Sequence, residues 1–190
     1  MGAERLVATA ERFGWNEEPT IAGAKASTLP KAGEMTSPLE IGSSAIGQGR
    51  VLATPLQLAS MTQTIANGGV RERPTLLVGA PRESRRVTSK RTARTIQRLM
   101  VGVVDYGTGT LAAIPDVKVA GKTGTAELGD TRGPDAVVSD ASNTDAWFTS
   151  YAPAGKPQIV VAVLFVRNGA GGAVAAPAAQ PVMVAGLAQK

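Results

Sequence analysis

The stretch VAGKTGTAE, Val119 to Glu127, sets one cation, Lys122, among small residues, with Gly121 before it and Gly124 just after. The question such a lysine raises is whether it cradles a phosphate or serves another anion, and the surroundings decide. A phosphate-cradling loop requires G-x-x-x-x-G-K-[ST], because its first glycine opens a turn whose amides wrap the phosphates. Counting back from Gly121 puts Asp116 at that position, and an aspartate repels phosphate. The intervening Val117, Lys118 and Val119 read as strand, so nucleotide binding is not expected. The dinucleotide pattern G-x-G-x-x-G fails as well: Gly47 and Gly49 are followed by Leu52, and Gly169 and Gly171 by Val174. Gly169 to Gly172 reads instead as a flexible loop. With neither cysteine nor histidine in the chain, thiolate nucleophiles, Cys/His metal sites and Ser-His-Asp catalysis are all excluded. Acid-base work falls to Lys, Asp, Glu or Tyr, and no cofactor or metal is expected.

The elements that must position Lys122 belong to a chain of 190 residues, the size of one domain. Its 43% hydrophobic and 4% aromatic residues predict a globular core built from Ala, Val, Leu and Ile. Twenty basic residues against 15 acidic give +5. Much of that excess lies in Arg82, Arg85, Arg86, Lys90, Arg91, Arg94 and Arg98, with no aromatic interleaved. A solvated loop and helix face is expected there, not a nucleic-acid surface. No window of about 18 apolar residues is expected to span a membrane, and Met1 begins no signal-peptide pattern.

Ala3, Leu6, Val7, Ala10 and Phe13 recur at helical spacing and predict an amphipathic helix over 2–13, ended by Gly14. It begins without lead-in or capping residue, which suggests a truncated start. Trp15 to Ile46 reads as a long irregular connection. Thr54 as N-cap, Pro55 at the first position and Gln57 completing a capping box predict a helix stopped by Gly68-Gly69, with Leu56, Ala59, Ile65 and Ala66 inward. Pro74 to Gly79 is expected to be a short strand. Ser89 opens a third helix whose buried stripe is Ala93, Ile96, Leu99, Met100 and Val103. After Pro115 the period becomes two: a strand leads through Val117 and Val119 into the Lys122 stretch, and Ala146 to Tyr151 and Gln158 to Val166 add two more, joined antiparallel. The last 20 residues predict a closing helix limited by Pro177 and Pro181.

K-T-G on a strand is the third motif of active-site serine β-lactamases and penicillin-binding proteins. Taken alone, the tripeptide reads first as a strand with a solvent-facing lysine and a glycine bulge. Its surroundings carry more. The blocks IGQGRVLATPLQLASMTQTIANGGV, VVDYGTGT, VKVAGKTGTAE, DAWFTSYAPAGKPQIVVAVLFV and GGAVAAP stand in the order and spacing of the class B penicillin-binding protein transpeptidase domain, which this chain resembles over essentially its whole length.

That resemblance implies an α+β fold of the β-lactamase/transpeptidase type, with antiparallel sheet strands and a helical subdomain. Residues 1–114 would form the mainly helical and loop part, and 115–190 the later strands and the closing helix. It implies D,D-transpeptidation of peptidoglycan. Lys122 would be a point cation beside the serine and the substrate carboxylate, Thr123 a hydroxyl donor to that carboxylate, and Gly124 a gap against which peptide lies. Thr125 would supply an oxyanion N–H, and Glu127 would face the cleft or be a solvated strand end. Trp147 and Phe148 are expected in the core. Gln48 and Gly49 are expected to shape a turn, and Asp105 to Gly109 to form a structural loop. Implied partners are peptidoglycan stem peptides, β-lactams and cell-wall synthesis or division proteins, with no nucleic acid and no nucleotide. The implied location is the extracytoplasmic face of the bacterial membrane, with the anchor outside this chain. Two motifs of that chemistry are missing. No serine has lysine three residues later, and none has asparagine two residues later. The expectation is therefore the C-terminal portion of such a domain, inactive alone. The alternative is a noncatalytic module that binds peptidoglycan peptide or a division partner.

Overall fold

The computed structural model describes residues 2–129 and 141–189. The chain forms two compact units, Met1–Ser89 and Lys90–Lys190, each an association of helices with an antiparallel sheet.

In the first unit α1 (Ala3–Arg12) turns Val7 inward, where it meets Leu29 and Met35, with Leu6, Trp15, Ile41 and Val51 packed around them. The connection expected to be irregular contains a helix, α2 (Pro38–Ala45). Its start is a complete capping box: Ser37 Oγ accepts from the Glu40 amide at 3.2 Å, and Glu40 accepts from the Ser37 amide at 3.1 Å. Helix α3 (Pro55–Ala66) begins as read, with the Thr54 hydroxyl accepting from the Gln57 amide. The Gln57 side chain does not complete a box there, because it donates to the Phe13 carbonyl at 2.8 Å. The inward face of α3 is also more polar than expected: Gln57, Ser60, Thr64 and Ile65 are buried, whereas Leu56, Ala59 and Ala66 are only half-buried.

Strands β1 (Val70–Glu72) and β2 (Ser84–Arg86) pair as an antiparallel hairpin. Pro74 to Gly79 is therefore not a strand, and part of the expected basic loop is one. An apolar run reads as strand only if something covers it, and here it forms the tip between two polar arms. Arg71, on β1, is 8% exposed and donates to Glu17 at 2.7 Å, while Arg73 donates to the other Glu17 oxygen at 2.6 Å. The Arg71 guanidinium lies where a side chain at residue 14 would sit, and residue 14 has φ +98°, so Gly14 is required on both counts.

The second unit is a three-stranded meander, β3 (Ala120–Glu127), β4 (Thr144–Ala152) and β5 (Ile159–Phe165), in that order. One face is covered by α4 (Lys90–Asp105) and α5 (Ala176–Ala188), whose Val104, Ala176, Ala179 and Met183 meet Val119, Ala146, Phe148, Ala152 and Val161. Leu99 is exposed, contrary to expectation; the inward line of α4 runs through Ala93, Met100 and Val104. Helix α5 continues through Pro181. With the π-helical turn Gly171–Ala175 before it, it makes an 18-residue stretch apolar and long enough to cross a membrane, contrary to the sequence reading. Its Ala175, Ala176, Ala179 and Met183 are fully buried in the core of this unit.

Burial alone would raise the Glu17 pKa, but hydrogen bonds and charge from Arg71 and Arg73 outweigh it and hold the carboxylate below the ordinary value of 4.5. A depressed pKa contributes stability that is present above the unfolded value and lost as the pH falls through the folded one. Glu17→Gln is expected to lower stability at pH 7 by up to about 3 kcal/mol, because it leaves Arg71 buried and unpaired. It should also flatten the loss of stability below pH 4.5. Urea melts at neutral and acid pH measure both effects, and a parallel acid limb in wild type and variant would contradict the assignment.

Candidate active site

Strand β3 pairs with β4 along one side, and among the described residues no strand pairs along the other. The pairs Thr123↔Phe148 and Thr125↔Ala146 turn the two threonine side chains to the face that α5 covers. Lys122↔Thr149 and Gly124↔Trp147 turn the other way. Phe148 is fully buried, as expected, whereas Trp147 is half-buried on the opposite face. Lys122 and the threonines thus approach the free edge of one strand from its two faces. Glu127 shares the threonine face, but five residues beyond Lys122 it lies about 17 Å away along the strand, exposed at the strand end.

The glycines flanking Lys122 have different causes. A Cβ at Gly121 would stand 2.5 Å from Phe148 Cζ and 3.2 Å from Val104 Cγ2, so this glycine serves the core. A Cβ at Gly124 would stand 3.1 Å from Trp147 Cβ, a tight contact across the strand pair.

Lys122 is exposed, and its Nζ donates to the Thr123 carbonyl at 2.7 Å. It has no ion-pair partner among the described residues. Asp105, by contrast, is neutralised by Lys118 at 2.9 Å. Among the described residues, the strand edge therefore carries a cation with no carboxylate paired to it.

Two threonine contacts complete the arrangement. Thr108, in the loop after α4, shares a hydrogen bond with Thr123, their hydroxyl oxygens 2.7 Å apart. One of the two protons is used between them, and the other is left to donate outward. Thr125 Oγ1 accepts from the Gly171 amide at 3.4 Å. The Gly171 backbone lies so close to the sheet that a Cβ there would overlap the carbonyl oxygens of Gly124 and Trp147. A Cβ at Gly172 would overlap the Thr108 carbonyl and stand 3.6 Å from Thr123 Cγ2. Gly169 to Gly172, expected to be a flexible loop, thus ends in a turn seated on β3 and β4. Thr108, Gly171 and Gly172 are the residues here that sequence reasoning did not single out. Their signals were the blocks VVDYGTGT and GGAVAAP, where small residues permit close approach. The described residues gather no group of acidic side chains able to hold a metal ion.

The family model for the penicillin-binding protein transpeptidase domain matches residues 1–184. The chain is 35% identical over 209 aligned positions to the peptidoglycan D,D-transpeptidase PbpA of Mycolicibacterium smegmatis, covering 98% of this chain and 40% of that protein. PbpA of Mycobacterium tuberculosis is 36% identical with the same coverages. Among solved structures, penicillin-binding protein A from M. tuberculosis, as a ceftriaxone acyl-enzyme complex, superposes with a TM-score of 0.81 at 33% identity over 95% of this chain and 42% of that one. The D,D-transpeptidase domain of a peptidoglycan glycosyltransferase from Eggerthella lenta does so with 0.81 at 33% identity, over 98% and 48%. The chain therefore spans about 40% of the length of these two PbpA relatives.

Gly171→Ala is expected to destabilise the chain by about 1–3 kcal/mol, since the added carbon meets backbone that cannot move aside. Gly155→Ala, where nothing lies within 4 Å, is the control and should cost far less. Equal denaturation midpoints for the two variants would refute the close seating.

Proposed function

Because the chain belongs to the penicillin-binding protein transpeptidase family, we propose that it forms the K-T-G wall of a peptidoglycan D,D-transpeptidase site. The carrying observation is the concentration of donors at one free strand edge. Lys122 has no ion-pair partner among the described residues, Thr123 and Thr108 share one proton and keep the other, and Thr125 is oriented by the Gly171 amide. A cation and hydroxyl donors converging there suit the terminal carboxylate of a D-Ala-D-Ala stem peptide or of a β-lactam. On one strand, residues two apart direct their N–H and C=O to the same side. The Thr123 carbonyl accepts from Lys122 Nζ, so the Thr125 amide faces that same side. That direction supports its role as donor to a developing oxyanion. Glu127 stands farther out and would meet only an extended substrate.

In the proposed reaction a serine oxygen bonds to the penultimate D-Ala carbonyl carbon, the C–N bond breaks, and D-Ala leaves as a protonated amine. An amine of a neighbouring stem then takes the acyl group and frees the serine. The 190 residues contain neither the S-x-x-K that supplies this serine nor S-x-N. The chain's own part is to hold the carboxylate and the oxyanion. The site would work at the extracytoplasmic face of a bacterial membrane, where peptidoglycan is assembled.

With a fluorescent penicillin, the 190-residue chain is expected to form no covalent adduct. Joined to a segment that carries S-x-x-K and S-x-N, it should be acylated, and Lys122→Ala in that joined protein should slow acylation by roughly 100-fold. An adduct on the chain alone would place the nucleophile elsewhere. Acylation indifferent to Lys122 would remove the assigned role, and reversible binding of a D-Ala-D-Ala peptide with no adduct in the joined protein would favour a noncatalytic module.

A further inference from the structure

The β1–β2 hairpin carries a surface that the site does not use. Its arms end at Glu72↔Ser84, extended by the Arg73 amide donating to the Glu83 carbonyl at 3.0 Å. The segment beyond bears Leu76, Leu77 and Val78 in succession, exposed by 80%, 74% and 104%. Pro74 and Pro81 form its shoulders, and Thr20 Oγ1 donates to the Pro74 carbonyl at 2.5 Å, tying one shoulder to the body of the unit. Three consecutive large apolar side chains at a tip, each almost fully solvated, form an exposed apolar patch of the kind that marks an interaction site.

The charges around this tip are predominantly basic. Over 71–86 the hairpin has Arg71, Arg73, Arg82, Arg85 and Arg86 against Glu72 and Glu83. Arg71 is buried on Glu17, and Arg73 is shared between Glu17 and Glu83. Arg82, with 80% of its side chain exposed, only grazes Glu72 at 3.8 Å. The exposed Arg85 and Arg86 donate to the backbone carbonyls of Arg12 and Gly68. An apolar tip therefore rises from a cationic base.

We propose that this hairpin tip docks on an anionic phospholipid surface, with Leu76, Leu77 and Val78 entering the interface and Arg82, Arg85 and Arg86 meeting the headgroups. Leu76 and Leu77 border one concavity with Ile21 and Pro74, and Arg82, Arg85 and Arg86 follow along the returning chain, so an exposed apolar surface is flanked by cations. A bilayer interface offers the complement of that surface, hydrocarbon beneath a layer of anionic headgroups. Arg82, next to the tip, then lies closest to the headgroups, and Arg85 and Arg86 farther along the β2 arm add attraction to anionic lipid.

The test is co-sedimentation of the 190-residue chain with vesicles of phosphatidylcholine, with and without phosphatidylglycerol. Association is expected with the anionic vesicles, weaker by about tenfold or more with the neutral ones, and reduced by added salt. Leu76→Ser, Leu77→Ser and Val78→Ser combined should lower it by about tenfold or more while leaving the thermal melt unchanged, because none of the three is buried. Val78→Trp should shift its emission to the blue on anionic vesicles. Failure to sediment, equal binding to neutral vesicles, indifference to the triple substitution, or unchanged tryptophan emission would each overturn the proposal. So would an acidic protein that binds the tip of a chain the vesicles do not hold. None of these readouts uses penicillin, so the result is independent of the transpeptidase reading.

Discussion

The β3 edge depends on how closely the Gly171–Gly172 backbone lies on the sheet. A single methyl group at Gly171 would strike two carbonyl oxygens, one from each of two paired strands. Because that space is empty, the Gly171 amide reaches Thr125 and the Gly172 backbone rests on the loop that carries Thr108. Thr123 and Thr125 thereby receive partners from two segments far away in sequence. The same economy of volume extends into the core. Val104, Phe148 and a bare Gly121 fit together beneath Lys122, and α5 contributes Ala176 and Ala179 where larger side chains would push the helix away. A chain with 4% aromatic residues achieves close packing by removing atoms.

Where the sequence alternated strictly or carried caps, it was legible. Strands β4 and β5, the antiparallel order of the sheet and helix α3 were legible from period-two patterning, short connections and Thr54-Pro55; β3 was expected to begin at Val117 but begins at Ala120, because Asp116 turns the chain and Val117 only bridges back to Ile114. The placing of Lys122, Thr123, Gly124 and Thr125 together on a strand was legible too, and they lie on β3, at the edge of the described sheet. The remainder depended on tertiary context. Helix α2 was hidden by its glycine and serine content, although Ser37, Pro38 and Glu40 spell a start signal. Leu99 fits a helical stripe as well as Met100 does, and only the position of the sheet selects between them. Pro74 to Gly79 has strand composition but a tip's surroundings. Thr108 and Gly171 lie 15 and 46 residues from their partners, a separation across which periodicity carries no information.

The two glycines beside Lys122 show why the motif is easy to recognise and hard to interpret. One is present for the core and the other for contact with Trp147, so neither exists to bend a loop around a ligand. Lysine and threonine alternate on the two faces of a flat strand edge, and the strand's own geometry presents a charge, a hydroxyl and an amide to the same side. The edge is regular backbone instead of an irregular loop, and the places of Lys122, Thr123 and Thr125 are as fixed as the register of β3 on β4.

The pairing of Glu17 with Arg71 bridges 54 residues, and the bridge from Thr28 to Leu52 lies nested inside it. Closing loops of that length costs chain entropy before any contact repays it, and the cost rises with the logarithm of the separation. The meander is built from neighbours in sequence, with β4 and β5 joined through a turn of a few residues. By that measure the Lys122 sheet has the lower contact order of the two units. The Glu17–Arg71 pair thus acts as a long-range clasp, holding together two ends of a 54-residue separation that no run of sequence-local pairing connects.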